Sequence, residues 1–86
     1  MPRICSFYGV VIAMYYREHG VPHFHALYGE YQISIAIESL EELSGELPPR
    51  ALRLVKRWAA LHREELLKNW DLAEQGRVLE SIDPLP

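Results

Sequence analysis

Three histidines fall within seven residues of one another, His19, His23 and His25. Imidazole is the side chain best suited to proton and metal chemistry near neutral pH. His23 and His25 are two positions apart, so on a strand both rings project from one face. Their bases then stand about 7 Å apart, as two strand repeats of about 3.3 Å require. Such a pair presents two nitrogen ligands to zinc, iron or copper. It equally aims a general base and a general acid at one substrate. His19, in the preceding segment, is the candidate third ligand, and Glu18 or Glu38 the candidate carboxylate. A structural or partner-contact role is also open, because histidines are common on half-exposed strands and Pro22-His23-Phe24-His25 can mark a strand start.

Those rings need a scaffold, and the first half of the chain reads as strands. Residues 3–8 and 10–16 are rich in β-branched and aromatic types, punctuated by Gly9. The second run is apolar on both faces, the pattern of a central strand. Gly20 and Pro22 mark residues 17–22 as a connection. Residues 23–28 and 31–37 are two further strands joined at Tyr28-Gly29-Glu30-Tyr31, with Gly29 where a type II′ turn wants glycine. That turn sets Tyr28 opposite Tyr31, Ala26 opposite Ile33, His25 opposite Ser34, Phe24 opposite Ile35 and His23 opposite Ala36. Phe24, Ala26, Tyr28, Tyr31, Ile33, Ile35 and Ile37 form the core face. His23, His25, Leu27, Gln32, Ser34, Ala36 and Glu38 form the other, and the small Ser34 and Ala36 leave room above the histidines.

Residues 38–47 admit either a short helical turn or an edge strand ending at Gly45. Pro49 then suits the first position of a helix, where its missing N–H costs nothing. Leu52, Val55, Ala59, His62 and Leu66 make an apolar stripe, widened by Trp58 and Leu61. It continues through Leu67, Trp70 and Ala73 to a glycine cap at Gly76, as one helix or as two broken near His62. On that stripe His62 is expected to be partly buried and apart from His23 and His25. Residues 78–82 can return as a short strand. The fold class is therefore α+β: a small antiparallel sheet of about four strands packed on one or two C-terminal helices. One domain covers residues 1–86, with strands in 1–47, helix in 48–76 and a tail or strand in 77–86.

Composition bounds the rest. The 86 residues are 49% hydrophobic and 24% charged, ordinary for a globular domain. Cys5 is the only cysteine, which excludes an internal disulfide and a cysteine zinc site and makes it a small buried hydrophobe. The opening Met1-Pro2-Arg3 has no secretory pattern, and the longest apolar run is far short of the roughly 20 residues that span a bilayer. A cytoplasmic location without membrane contact is expected. The net charge of −3 excludes a strongly basic nucleic-acid footprint overall. Charge is still uneven: Glu38, Glu41, Glu42 and Glu46 precede Arg50, Arg53, Lys56, Arg57 and Arg63. The basic helix face is either solvated and paired with nearby acids or able to hold phosphate, RNA or an acidic protein.

Residues 12–16, Pro22-His23-Phe24-His25-Ala26, Tyr28-Gly29-Glu30-Tyr31, Glu46-Leu47-Pro48, Arg50-Ala51-Leu52, Leu61-His62-Arg63 and Asn69-Trp70 together resemble the small bacterial family of domain of unknown function 4160. Its motifs carry over to His19, His23, His25 and His62. The resemblance implies a two-gene context, in which a neighbouring gene encodes a small protein of the domain 2442 family, as in a toxin–antitoxin module. The common pattern of the family has acidic residues where Leu27 and Ala36 stand here, which weakens any Asp–His or Glu–His pairing built on those positions. The leading expectation is a partner-binding protein without a cofactor, which engages that small protein through His19, His23, His25 and Ser34. One alternative is an endoribonuclease with His23 and His25 as base and acid and with Arg50, Arg53 or Arg57 on RNA phosphate. The other is a module binding one divalent transition metal such as zinc through His19, His23 and His25.

Overall fold

The computed structural model describes residues 2–86; Met1 lies outside the described residues. Five strands, β1 (Arg3–Phe7), β2 (Val10–Ala13), β3 (His23–Tyr28), β4 (Tyr31–Ala36) and β5 (Glu42–Glu46), form one antiparallel meander in chain order. Two helices follow, α1 (Pro49–Leu61) and α2 (Arg63–Glu74). The α+β expectation holds, with one strand more than the four that read clearly.

Both tight hairpins are set by backbone sterics. Tyr8 and Gly9 have φ of +46° and +83°, the double left-handed pair of a type I′ turn, and Phe7 faces Val10 across it. Gly29 has φ +59° while Glu30 stays at negative φ, which is the type II′ pattern anticipated for β3–β4. Each pair expected there is present, from Tyr28–Tyr31 through His25–Ser34 to His23–Ala36.

Phe24, Ala26, Ile33, Ile35 and Ile37 are buried on one face, where Ile12 and Val10 of β2 join them. Tyr28 and Tyr31 share that face at the turn end but stay exposed. Trp58 of α1 closes the core, its ring 5.6 Å from Phe7 and 6.0 Å from Phe24. Its indole N–H donates to the Asp83 carbonyl at 2.8 Å, so the tail closes over the same ring.

Pro49 occupies the first turn of α1 as expected. The helix breaks at His62, whose φ of −124° and ψ of 28° leave the helical range. Glu64 and Glu65 then open α2, where carboxylates favour the positive helix end. At the other end Arg77 donates to Leu72 and Gly76 to Ala73, with Gly76 at φ +70°. That is a Schellman cap.

Several expectations are corrected. The run 10–16 is strand only to Ala13; Met14 stays fully buried, so its apolar character serves a packed loop rather than more strand. Residues 38–47 resolve to the edge strand β5, exposed at every position and so without a hydrophobic period to read. Leu61 is 65% exposed and does not widen the core stripe, because the chain turns out of the helix beside it. Residues 78–82 form no strand. Only the Ile82 N–H reaches β1, at Ile4 O, and Asn69 instead holds the tail through two 2.8 Å bonds with the Glu80 backbone.

Gly45 is the most closely approached of the glycines. It has φ +82°, and a Cβ there would lie 2.2 Å from the Gln32 carbonyl oxygen of β4. Gly45→Ala should therefore destabilise the fold by about 2–3 kcal/mol, the upper part of the usual penalty for a strained residue. Urea unfolding followed by tryptophan fluorescence measures it, and a loss under about 0.5 kcal/mol would contradict the close approach.

Candidate functional site

His23 and His25 leave β3 on the face opposite Phe24, as the register requires. That face does not open freely to solvent at its His23 end. The segment between β2 and β3 folds over it and docks on α2, with Arg17 N–H donating to Ala73 O at 3.3 Å. This docking brings the Glu18 carboxylate onto the two rings. Glu18 Oε1 lies 2.7 Å from His25 Nε2 and 3.2 Å from His23 Nε2.

Each ring is held from behind. His23 Nδ1–H donates to the Val21 carbonyl at 2.7 Å, and Trp70 of α2 packs 5.1 Å from the ring. His25 Nδ1 meets the Ser34 hydroxyl at 3.2 Å, while Tyr15 lies 4.4 Å away, centroid to centroid. The rings themselves are 5.2 Å apart and nearly perpendicular. His23 is buried, and Glu18 and His25 are partly so. His25 and Ser34 also line a cavity of about 280 Å³ with Tyr15, Gln32 and Ser44.

The protonation pattern this imposes is unusual. A carbonyl oxygen can only accept, so Nδ1 of His23 must carry a proton. A neutral His23 then leaves Nε2 as a bare acceptor 3.2 Å from a carboxylate oxygen, two acceptors side by side. A positive charge between them resolves the conflict, supplied by a second proton on the imidazole or by a metal ion. Two atoms that each bind zinc at about 2.0–2.1 Å stand about 3.3 Å apart at tetrahedral angles. The 3.2 Å separation is near that figure, the 2.7 Å one is the shorter length of a hydrogen bond, and the three ligand atoms all lie within 4.8 Å of one another.

Of the residues singled out by sequence, His23, His25 and Ser34 come together. His19 is exposed and outside the cluster; the third place falls to its neighbour Glu18. Glu38 is exposed, and its carbonyl instead accepts from Arg63 Nε. Ala36 stands opposite His23 as expected, so the strand offers no carboxylate there and the loop supplies Glu18 instead. His62 is separate, half-buried against Trp58 at 5.4 Å and paired with Glu65. Arg50, Arg53 and Arg57 are exposed on α1, away from the histidines. Cys5 is buried; burial pushes its thiol up, against a backbone hydrogen bond at Ser6 that lowers it, so it is a packing residue.

Sequence reading did not assign Tyr15 or Trp70 to the histidine site. Tyr15 carried a signal, since it lies two residues past Ala13, the β2 partner of His25. Trp70 carried none, because its helical spacing reads equally as core.

In the metal-free chain His23 should keep its proton on Nδ1 at pH 8. Nitrogen-15 imidazole shifts from two-dimensional NMR report this directly. A resonance pattern with the proton on Nε2 alone would refute the Val21 contact.

A family model described as a domain of unknown function, DUF4160, matches residues 9–71. The matched span contains the Glu18–His23–His25 cluster and α1 whole, and most of α2. No curated protein and no solved structure matches the chain. Over nearly three-quarters of its length, then, the chain carries the sequence pattern of DUF4160, and it belongs to that family.

Proposed function

We propose that this protein is a metal-binding module that holds one divalent transition-metal ion, zinc in the first instance, through Glu18 Oε1, His23 Nε2 and His25 Nε2. The carrying observation is the 2.7 Å bond from His23 Nδ1 to the Val21 carbonyl, which leaves Nε2 free, 3.2 Å from the carboxylate. A backbone carbonyl on the far nitrogen is the usual way a metal-bound histidine is oriented and its basicity raised. Ser34 gives His25 comparable support.

Two histidines and one carboxylate leave zinc at least one further position, for water or for a donor side chain from another protein. The small protein partner expected from a two-gene module has a chemical role in this reading: it completes the coordination. A metal-independent ribonuclease is less well served. It needs one imidazole free to take a proton and another free to give one, whereas both Nε2 atoms turn here on one carboxylate oxygen.

Untagged protein should carry close to one equivalent of zinc by mass spectrometry, or take it up in titration. Glu18→Ala, His23→Ala and His25→Ala should each abolish stoichiometric binding. Ser34→Ala should weaken it roughly tenfold, the low end for loss of a supporting hydrogen bond. His19→Ala should leave it within about twofold, the spread expected of an exposed residue that ligates nothing. Failure of the folded wild-type chain to bind zinc, cobalt, iron or manganese would sink the proposal, as would unchanged affinity in His23→Ala.

A further inference from the structure

At the opposite end of the sheet lies a second feature that the metal centre does not use. Tyr8, Tyr28, Arg50, Leu54, Arg57 and Leu85 are among the residues lining a groove of about 640 Å³ between the two hairpin turns and α1. Its volume falls within the range of small-ligand sites, about 300–1,000 Å³. Tyr28 stands five residues along β3 from His23, about 17 Å at strand rise, and projects from the other face. The two sites are therefore independent.

The lining sets two arginines beside tyrosine and aliphatic side chains. Arg50 and Arg57 are exposed and, among the described residues, pair with no carboxylate, whereas Lys56 between them is engaged by Glu42 at 3.0 Å. No acidic side chain lines the groove. Arg50, Arg53 and Arg57 recur at helical spacing on one face, and a second depression of about 530 Å³ runs on past them, lined by those arginines with Leu54 and Lys56. On the sheet side Tyr8 is 61% exposed. It sits in the left-handed turn, edge-on to Phe7 at 6.4 Å, with its hydroxyl donating to Pro86 O at 2.8 Å. The ring is thus held in place while most of its surface stays open.

We infer that this groove binds a single-stranded nucleic acid, the bases on Tyr8 and Tyr28 and the phosphates along Arg50, Arg57 and Arg53. Unpaired guanidinium groups beside fixed, exposed aromatic rings are the two components of sequence-tolerant single-strand binding. An acidic peptide would use the arginines and leave the tyrosines idle. A lone mononucleotide would leave the second depression idle. The chain's net charge of −3 works against long-range attraction of a polyanion. Binding therefore rests on local contacts and falls steeply with salt.

Fluorescence anisotropy of a labelled oligouridylate of about ten nucleotides with the whole protein tests this, at the few nucleotides per site usual for small single-strand binders. Saturable binding is expected, with a slope of log affinity on log salt near −2 from about three phosphate contacts. Arg50→Ala combined with Arg57→Ala should weaken it at least about tenfold, a typical loss for two phosphate contacts. Tyr8→Ala should weaken it several-fold, while His19→Ala leaves it unchanged. All of these positions are at the surface, and circular dichroism checks that each variant is folded. Absence of binding, or binding unmoved by the double arginine change, overturns the assignment. Equal competition by polyglutamate or by uridine monophosphate also overturns it, in favour of an acidic protein or a free nucleotide.

Discussion

The two-residue turn at Gly29-Glu30 is the constraint on which the rest depends. Strand side chains alternate strictly, so a slip of one residue would exchange the two faces of the hairpin. In the observed register Phe24, Ala26, Ile33 and Ile35 enter the core, and His23 and His25 leave it together. A slipped hairpin would bury two imidazoles among isoleucines and expose the phenylalanine. Hydrophobic burial and the positive φ that glycine tolerates at this turn therefore act in the same direction.

The helices divide the work of covering this sheet. Trp58 of α1 packs on the core face against Phe7 and Phe24, whereas Trp70 of α2 reaches His23 on the other. The break at His62 allows one helical segment to serve both, since a straight helix would keep its apolar stripe on one side. The end of α2 also receives the backbone of Arg17 and so fixes the loop that delivers Glu18. The carboxylate's position is thus a property of packing between the loop and α2. The C-terminal residues reinforce the assembly, with Asn69 and Trp58 each bonded to the tail backbone.

Charge is segregated in the same economical way. The histidines and Glu18 occupy one end of the sheet and the unpaired arginines stand toward the other, with the apolar core between them. A chain of 86 residues has a single core to spend on both sites. It serves both by using the two ends and the two faces of one meander.

Much of this was legible in the residues themselves. Turn chemistry and alternation specified the β3–β4 register, the shared face of His23 and His25, and the helical second half with its proline start and glycine end. Those are local rules, acting over a few residues. β5 stayed open between an edge strand and a helical turn, because every position on it is exposed and no hydrophobic period marks it. The third member of the histidine cluster was open for a different reason. His19 and Glu18 are adjacent in a segment without regular structure, and which of them turns inward depends on how that loop docks on a helix some fifty residues later in the chain. Sequence alone determined the pair of histidines; the tertiary structure chose their carboxylate, because only long-range packing sets a loop's direction.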